Sequence, residues 1–170
     1  MVTRAASRAA DAWAAVATVM DPEVPVLSVV ELGIVRDVSV DGGVATVTVT
    51  PTYSGCPAMR VIEEEIVRAL SEHGFAEARV RTVYSPAWTT DWIGADAREK
   101  LRAYGIAPPS HGAAGEDDSL VPLVRRRASV ECPYCKSSNT TLRSEFGSTA
   151  CKSTLYCNGC HQPFEQFKGI

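Results

Sequence analysis

Two cysteine pairs near the end of the chain have the residue types and the spacing of a metal site. Cys132 and Cys135 form one Cys-x-x-Cys pair, Cys157 and Cys160 form another, and 21 residues separate the pairs. Each pair can give two thiolates to one tetrahedral ion, and the segment between them is long enough for a β-hairpin that brings the pairs together. The pattern predicts a β-rich zinc ribbon over residues 130–170, in which these four sulfurs hold a structural Zn²⁺.

Other chemistries of the same cysteines stay open as alternatives. These are thiol redox chemistry and an iron site of the rubredoxin or iron–sulfur type. The string from Cys157 to His161 matches the c-type haem attachment motif, but haem would leave Cys132 and Cys135 without a purpose. A segment of about 40 residues is too short to bury a self-sufficient core, so a stapling metal is expected. Cys151 has no cysteine or histidine at a paired spacing, and we interpret it as a strand residue packed near the metal site.

A sixth cysteine, Cys56, stands alone in the first two thirds of the chain, between Gly55 and Pro57. Proline suits the first position of a helix, because its missing N–H would have no partner there. A helix N-terminus stabilises an anion, so we expect the pKa of the Cys56 thiol to be lowered. The thiol is then either a thiolate for metal, cluster or nucleophilic work, or a small residue in a tight turn. Asp21 and Glu23 are spaced like acid–base carboxylates, but we interpret Asp-Pro-Glu as ordinary turn chemistry.

The elements that must position these side chains begin with a helix and a hairpin. The helix is predicted to end by Met20, because the prolines of segment 21–25 disfavour helix in the residues before them. Its expected buried stripe consists of Ala9, Trp13, Val16, Ala17 and Met20. A β-branched run over 34–40, a glycine turn at 41–43 and a strictly alternating run over 44–50 predict a β-hairpin.

Three further elements complete the first part of the chain: a helix over 57–73, a strand over 79–84 and a helix over 90–104. The expected buried stripe of the first of these helices is Met59, Ile62, Ile66, Ala69 and Leu70. The order α-β-β-α-β-α predicts a small α+β domain with a three-stranded sheet. Trp88 and Trp92 are interpreted as core or rim residues, with a partner site as the alternative.

Composition divides the chain further. The predicted organisation is an α+β domain over 1–107, a linker over 108–129 and the ribbon over 130–170. Residues 108–119 are rich in proline, glycine and acidic residues and lack apolar periodicity, which is typical of a flexible linker. The segment 125–170 carries 7 basic and 3 acidic residues, although the whole chain of 170 residues has a net charge of −3.

The same composition excludes several classes of function. The apolar stretch Trp13–Met20 has 8 residues, whereas a membrane-spanning helix needs about 20. Six cysteines in 170 residues are too few for a disulfide scaffold, so we expect a cytoplasmic protein with reduced thiols. The negative net charge disfavours nucleic acid as a partner. Because a ribbon follows Arg125–Arg127, a zinc-ribbon module that binds nucleic acid stays an alternative.

Three motifs of the first part carry a resemblance to a known family. They are Asp-Pro-Glu-x-Pro at 21–25, Glu-Leu-Gly-Ile-Val at 31–35 and Thr-Pro-x-x-x-Gly-Cys-Pro at 50–57. Over about residues 10–107 the chain resembles the SufT-type iron–sulfur cluster assembly domain. The resemblance implies that Cys56 is a transient ligand of iron or of an iron–sulfur cluster.

Two later motifs narrow the resemblance. They are Ser-Pro-x-Trp-Thr-Thr-Asp-Trp-Ile at 85–93 and Phe-Gly-Ser-Thr-x-Cys-Lys at 146–152. With the four-cysteine tail, they make the whole chain similar to the accessory D-subunit family of the bacterial phenylacetyl-CoA epoxidase, a ring-1,2-monooxygenase of phenylacetate degradation. In that system other subunits hold a di-iron oxygenase and an iron–sulfur flavin reductase.

The resemblance implies an accessory factor rather than an enzyme. Such a factor would assist iron–sulfur or metal-centre assembly in the other epoxidase subunits, which are therefore the expected partners, the iron–sulfur reductase first. A homo-oligomer is a further alternative. A purely structural subunit is the main alternative function. A thiol enzyme that uses Cys56 as a nucleophile is another, but the sequence offers no paired base for it.

Overall fold

The computed structural model describes residues 2–109 and 129–169. The chain divides into two compact units, each described by itself below. The first comprises Met1–Trp88 and Trp92–Ala97, and the second comprises Thr89–Asp91 and Arg98–Ile170.

The boundary between the units differs from the one expected at residue 107. The second unit contains Arg98 and the residues that follow it, because Ile106–Ala107 pairs with a strand of the ribbon. Most of the predicted linker lies outside the described residues, as does the basic run Arg125–Arg127.

The first unit is built on a three-stranded sheet with two helices. Its elements are α1 (Val2–Val16), β1 (Val35–Asp41), β2 (Val44–Val49), α2 (Met59–Glu72) and β3 (Glu77–Thr82). Strand β2 lies in the centre, antiparallel to β1 and parallel to β3. The predicted hairpin is confirmed, because Asp41 pairs with Val44 across a turn in which Gly42 and Gly43 have positive φ. Helix α2 supplies the crossover that a parallel pair requires.

The core of this unit forms from one face of each helix and from the sheet. Helix α2 buries Ile62, Ile66, Ala69 and Leu70, as its periodicity predicts. The stripe expected for α1 is confirmed at Val16 but wrong at Trp13, which is 38% exposed, and at Met20, which is 44% exposed. Ala12, Ala15 and Val19 are buried instead. The helix ends at Val16, so the residues up to Met20 no longer follow a helical period.

Two elements after α2 begin at other residues than predicted. Strand β3 covers Glu77–Thr82 rather than 79–84, because its register is set by pairing with the whole of β2. The helix predicted over 90–104 is divided into a 3₁₀ turn at Thr90–Trp92 and helix α3 at Ala95–Tyr104.

The two tryptophans of the first unit pack on the turn before β1. Trp88 is buried, and its indole Nε1 donates a hydrogen bond to the carbonyl of Leu32 at 3.0 Å. The guanidinium of Arg36 lies 3.5 Å from the centroid of the Trp92 ring. Gly33 has φ +74°, and a Cβ at this position would lie 2.8 Å from the Cβ of Trp92. The pair is therefore a packing element of the first unit, as the core interpretation expects.

The second unit contains most of α3 and a four-stranded sheet. Its strands are β4 (Ile106–Ala107), β5 (Thr140–Ser144), β6 (Lys152–Cys157) and β7 (Pro163–Phe167), in the order β4-β7-β6-β5. Strand β4 runs parallel to β7, and the other neighbours are antiparallel. The core contains Ala107, Cys132, Leu155, Cys157 and Phe164. The predicted β-rich ribbon is confirmed. Its sheet also contains β4, which precedes the predicted linker in the sequence. Among the described residues, the structure has no helix that is both long and apolar enough to span a membrane.

Replacement of Gly33 by alanine tests the contact with Trp92. A left-handed backbone costs a non-glycine residue about 1–2 kcal/mol, and crowding of a packed site adds about 1–3 kcal/mol. Gly42→Ala is the matched control, because Gly42 also has positive φ but a Cβ there meets nothing within 4 Å. We expect urea unfolding, followed by tryptophan fluorescence, to show a larger loss of unfolding free energy for Gly33→Ala. Equal losses of unfolding free energy in the two variants would show that the structure around Trp92 adjusts to the added methyl group without cost.

Candidate functional site

The four cysteines of the ribbon meet at one point of the second unit. Their Sγ atoms all lie within 4.8 Å of one another. The Cys132–Cys160 sulfurs are 3.7 Å apart and the Cys135–Cys157 sulfurs are 3.5 Å apart. A tetrahedral ion with Zn–S bonds of about 2.3 Å requires sulfurs about 3.8 Å apart, whereas a disulfide requires about 2.05 Å. The donor set and its spacing therefore fit a structural Zn²⁺.

The two Cys-x-x-Cys turns are built in the same way. The N–H of Lys136 donates to the carbonyl of Cys132 at 3.0 Å, and the N–H of His161 donates to the carbonyl of Cys157 at 2.9 Å. The residue after each pair has a left-handed backbone, with φ 64° at Lys136 and 61° at His161. This conformation is unfavourable for a residue with a Cβ, so the fold tolerates strain at both turns to aim the sulfurs.

The sulfurs differ in charge and exposure. The N–H of Cys160 donates to the Sγ of Cys157, and such hydrogen bonds lower the pKa of Cys157 to about 6. Burial raises the pKa of Cys160 to about 12. At neutral pH the cluster without metal therefore holds a thiolate and retains at least one proton, which a metal ion must displace when it binds. Cys132 and Cys157 are buried, whereas Cys135 is exposed.

Cys151 does not belong to this cluster. It is buried just before β6, while Cys157 is the last residue of that strand. Six residues of strand span about 20 Å, so the interpretation that Cys151 packs near the metal is wrong. Its Sγ instead lies 3.1 Å from the hydroxyl of Thr149, and its carbonyl accepts the N–H of Lys168.

Cys56 lies in the loop between β2 and α2, and it is half-buried. Helix α2 begins at Met59 with Ala58 as its N-cap, so Cys56 and Pro57 precede the helix rather than opening it. The expectation of a lowered pKa is wrong. Burial raises the pKa of the thiol and outweighs hydrogen bonds from the Ala58 backbone and the Thr52 hydroxyl.

The structure brings Asp21 and Glu23 into the environment of this thiol. Both carboxylates contribute, after burial, to the raised pKa of Cys56, because their negative charges disfavour a thiolate. Asp21 also has the turn role that the sequence predicts. It is 4% exposed, and its Oδ1 accepts the N–H groups of Glu23 at 2.9 Å and Val24 at 2.7 Å.

The site around Cys56 is therefore a thiol with a hydroxyl and two carboxylates nearby, which favours a cation over an anion. Sequence reasoning missed this grouping, although the paired carboxylates at 21 and 23 and the motif at 50–57 were its signals. Among the described residues, the ribbon cysteines are the one group whose ligand atoms lie close enough to enclose an ion. Cys56 does not form a closed site of its own.

Two family models match the chain, one on each part. The model described as "Iron-sulfur cluster assembly protein" matches residues 9–83. The model described as "PaaD zinc beta ribbon domain" matches residues 116–168. The first range contains Cys56, and the second contains all four clustered cysteines.

Relatives and a solved structure agree with this division. The Bacillus subtilis Fe-S protein maturation auxiliary factor YitW is 38% identical over 85 residues, which are 49% of this chain and 82% of the relative. The Staphylococcus aureus Fe-S protein maturation auxiliary factor SufT is 38% identical over 85 residues, 49% of this chain and 96% of the relative. A Bacillus anthracis structure described as domain of unknown function DUF59 has a TM-score of 0.56 and 28% identity, covering 59% of this chain and 97% of that chain.

One relative matches both parts at once. An Escherichia coli protein, named as the D subunit of a 1,2-phenylacetyl-CoA epoxidase, is 44% identical over 170 residues, which cover 100% of this chain and 98% of the relative. The relatives carry the names of an epoxidase component and of maturation auxiliary factors, in agreement with an accessory, non-catalytic protein. Because the likeness extends over both parts and includes the zinc ribbon, the chain belongs to the D-subunit family of phenylacetyl-CoA epoxidases, whose first part is an iron–sulfur cluster assembly domain.

Proposed function

We propose that the protein is a cytoplasmic accessory factor of a phenylacetyl-CoA epoxidase system and that it supplies iron or an iron–sulfur cluster to the other subunits. The observation that carries the proposal is the placement of the Cys56 thiol near the Asp21 and Glu23 carboxylates, within a domain related to maturation factors. The full-length likeness to an epoxidase D subunit supports the choice of system.

The chemistry of the Cys56 site suits cargo that is bound and then released. The carboxylates of Asp21 and Glu23 attract a cation, while burial and these charges keep the thiol protonated until a metal arrives. An incoming ferrous ion or cluster iron displaces the proton and forms an Fe–S bond to Cys56. Because residues 2–109 and 129–169 provide no closed set of ligands there, the remaining ligands would come from the client or from small thiols. A site of this kind holds iron weakly enough to pass it on.

The ribbon has a different part in the proposal. We assign Cys132, Cys135, Cys157 and Cys160 as the ligands of the structural zinc ion, which leaves the metal no open position for chemistry. The ribbon would hold the client while the first unit presents the cargo. The proposed clients are the metal-bearing epoxidase subunits, the iron–sulfur reductase first.

The decisive test compares cells that carry the wild-type chain, Cys56→Ala or no copy of the gene. We expect the reductase isolated from the last two to contain several-fold less iron and acid-labile sulfide, because no thiol passes iron to it. Cys151→Ala is the matched control, since it also removes one thiol but leaves Cys56 and the four clustered cysteines intact. Full iron and sulfide in all strains, together with lost epoxidase activity, would leave a purely structural subunit as the answer.

Zinc content tests the assignment of the ribbon ligands. We expect the wild-type protein to bind about one Zn²⁺ per chain and Cys157→Ser to lose it, because three thiolates do not close a tetrahedral site. The second unit should then lose its structure by circular dichroism while the first unit stays folded. Cys151→Ser should keep its zinc, since this sulfur is absent from the cluster. Full zinc retention by Cys157→Ser would contradict the assignment.

Alkylation of the zinc-bound protein tests the environment of Cys56. Because the pKa of the Cys56 thiol is raised, its thiolate forms at a higher pH than the thiolate of an ordinary cysteine. The rate of iodoacetamide labelling should therefore be low at pH 7. Replacing both carboxylates, Asp21→Asn with Glu23→Gln, removes their repulsion and should raise that rate. Mass spectrometry of the peptide that contains Cys56 measures both. A labelling midpoint below that of an ordinary thiol would contradict the charge environment described here.

A further inference from the structure

The loop between β5 and β6 presents an aromatic side chain to solvent. Phe146 is 69% exposed, and the next most exposed large hydrophobic side chain in the described part of the chain is Tyr84, at 62%. Its carbonyl accepts a hydrogen bond from the hydroxyl of Thr154 on β6 at 3.4 Å. Because most of its surface stays in water, Phe146 gains little from the hydrophobic effect in the free protein, and burial against a partner would stabilise it further.

The loop around Phe146 is held rigidly. The carboxylate of Glu165 accepts the N–H and the hydroxyl of Ser148, and it also pairs with the ammonium of Lys152 at 3.1 Å. The Lys152 side chain is 5% exposed and that of Glu165 is 27% exposed, so a partly buried ion pair between β6 and β7 positions the carboxylate that holds Ser148. The fit is tight, because a Cβ on Gly147 would lie 2.6 Å from Oε1 of Glu165.

Burying a lysine ammonium costs desolvation energy that a paired carboxylate returns only in part. Here the paired carboxylate also holds Ser148, in the loop that carries Phe146. Pre-ordering of an apolar anchor reduces the entropy that is lost when a partner binds. The loop therefore has the properties of a prepared contact rather than of a passive connection.

Two positive charges of the ribbon lie over aromatic rings, one of them the ring of Phe146. The Lys168 ammonium lies 4.8 Å from the centroid of the Phe146 ring, and the Arg143 guanidinium lies 5.0 Å from the centroid of Tyr156. Thr154, which holds the Phe146 carbonyl, and Tyr156 alternate along β6 and so face the same side of the sheet. One pair joins the β5–β6 loop to the residue that follows β7, and the other joins β5 to β6, so both pairs belong to the ribbon.

We propose that Phe146, Lys168, Arg143 and Tyr156 form a docking surface for the client protein. The client would insert Phe146 into an apolar pocket, and carboxylates at the rim of that pocket would meet Lys168 and Arg143. The identity of the client rests on the proposed function, whereas the surface itself rests on the exposure, the rigid loop and the flanking cations. Aromatic and arginine side chains are the residue types that dominate the energy of protein interfaces.

Two other occupants fit the surface less well. In a two-fold contact with a second copy, the same cations would face each other, and like charges across an interface are unfavourable. Nucleic acid would require a strongly basic surface, but Glu131 and Glu145 accompany the basic residues of the ribbon and the chain has a net charge of −3. An acidic protein surface satisfies both the apolar anchor and the cations.

The test measures the affinity of the zinc-bound full chain for the purified reductase and for the purified di-iron subunit of the same epoxidase system. We expect the wild-type chain to bind one of them and Phe146→Ala to weaken that binding by about tenfold or more. Phe146→Leu should retain most of the affinity, and Lys168→Glu should weaken it at low salt but less at high salt. Tyr104→Ala is the matched control, because Tyr104 is a 57% exposed aromatic residue at the end of α3. Zinc content and thermal midpoint verify that each variant is folded.

Several results would overturn the docking surface. The first is that Phe146→Ala binds the client subunit as tightly as the wild-type chain does. The second is that the wild-type chain binds neither subunit. The third is that Phe146→Ala changes dimerisation or DNA binding while its binding to the subunit is unchanged. Cys56→Ala separates this proposal from the maturation function, since it should bind the client normally yet fail to supply iron. If Phe146→Ala loses binding while Cys56→Ala supplies iron normally, the docking surface stands and the maturation function fails.

Discussion

The mutual approach of four sulfur atoms is the constraint on which the second unit depends. Sulfurs within 4.8 Å of one another repel once all of them are thiolates, so a cation among them stabilises the deprotonated arrangement. Two of these cysteines belong to the small core, and both turns that aim the sulfurs hold a non-glycine residue in the left-handed region. The metal thus offsets strain and completes a core that four short strands cannot provide alone. The loop that carries Phe146 depends on the same strands.

The first unit obtains its stability differently, from apolar burial between two helices and a sheet, and it can therefore place polar groups for use. Asp21 shows how one residue combines both tasks. Its buried carboxylate accepts hydrogen bonds from the backbone of its own turn, so its position is fixed by the fold itself. From that position its negative charge raises the pKa of the Cys56 thiol, although the two residues are 35 positions apart in the sequence.

The parts that could be predicted from the sequence are those whose cause is local. Strict alternation with a glycine turn predicts the β1–β2 hairpin, and Cys-x-x-Cys spacing predicts the ribbon cluster. Strand β4 was missed because two residues, Ile106–Ala107, carry no period and pair with a strand that lies beyond the linker. The Cys56 pKa was predicted in the wrong direction because a local argument, proximity to a helix start, was outweighed by burial and by charges from another loop. In each failure the decisive contact is tertiary.

A protein that delivers a metal must not compete with its client for that metal. A closed set of four thiolates, as in the ribbon, binds too tightly for transfer, whereas a single thiol with a raised pKa forms a bond that a better set of ligands readily replaces. Weak cargo binding then needs a separate source of affinity for the client. The docking surface that we propose on the ribbon would supply it by raising the effective concentration of the client. Under the proposed function, the two parts of the chain thus have separate tasks: the first unit binds the metal weakly, and the ribbon provides affinity for the client.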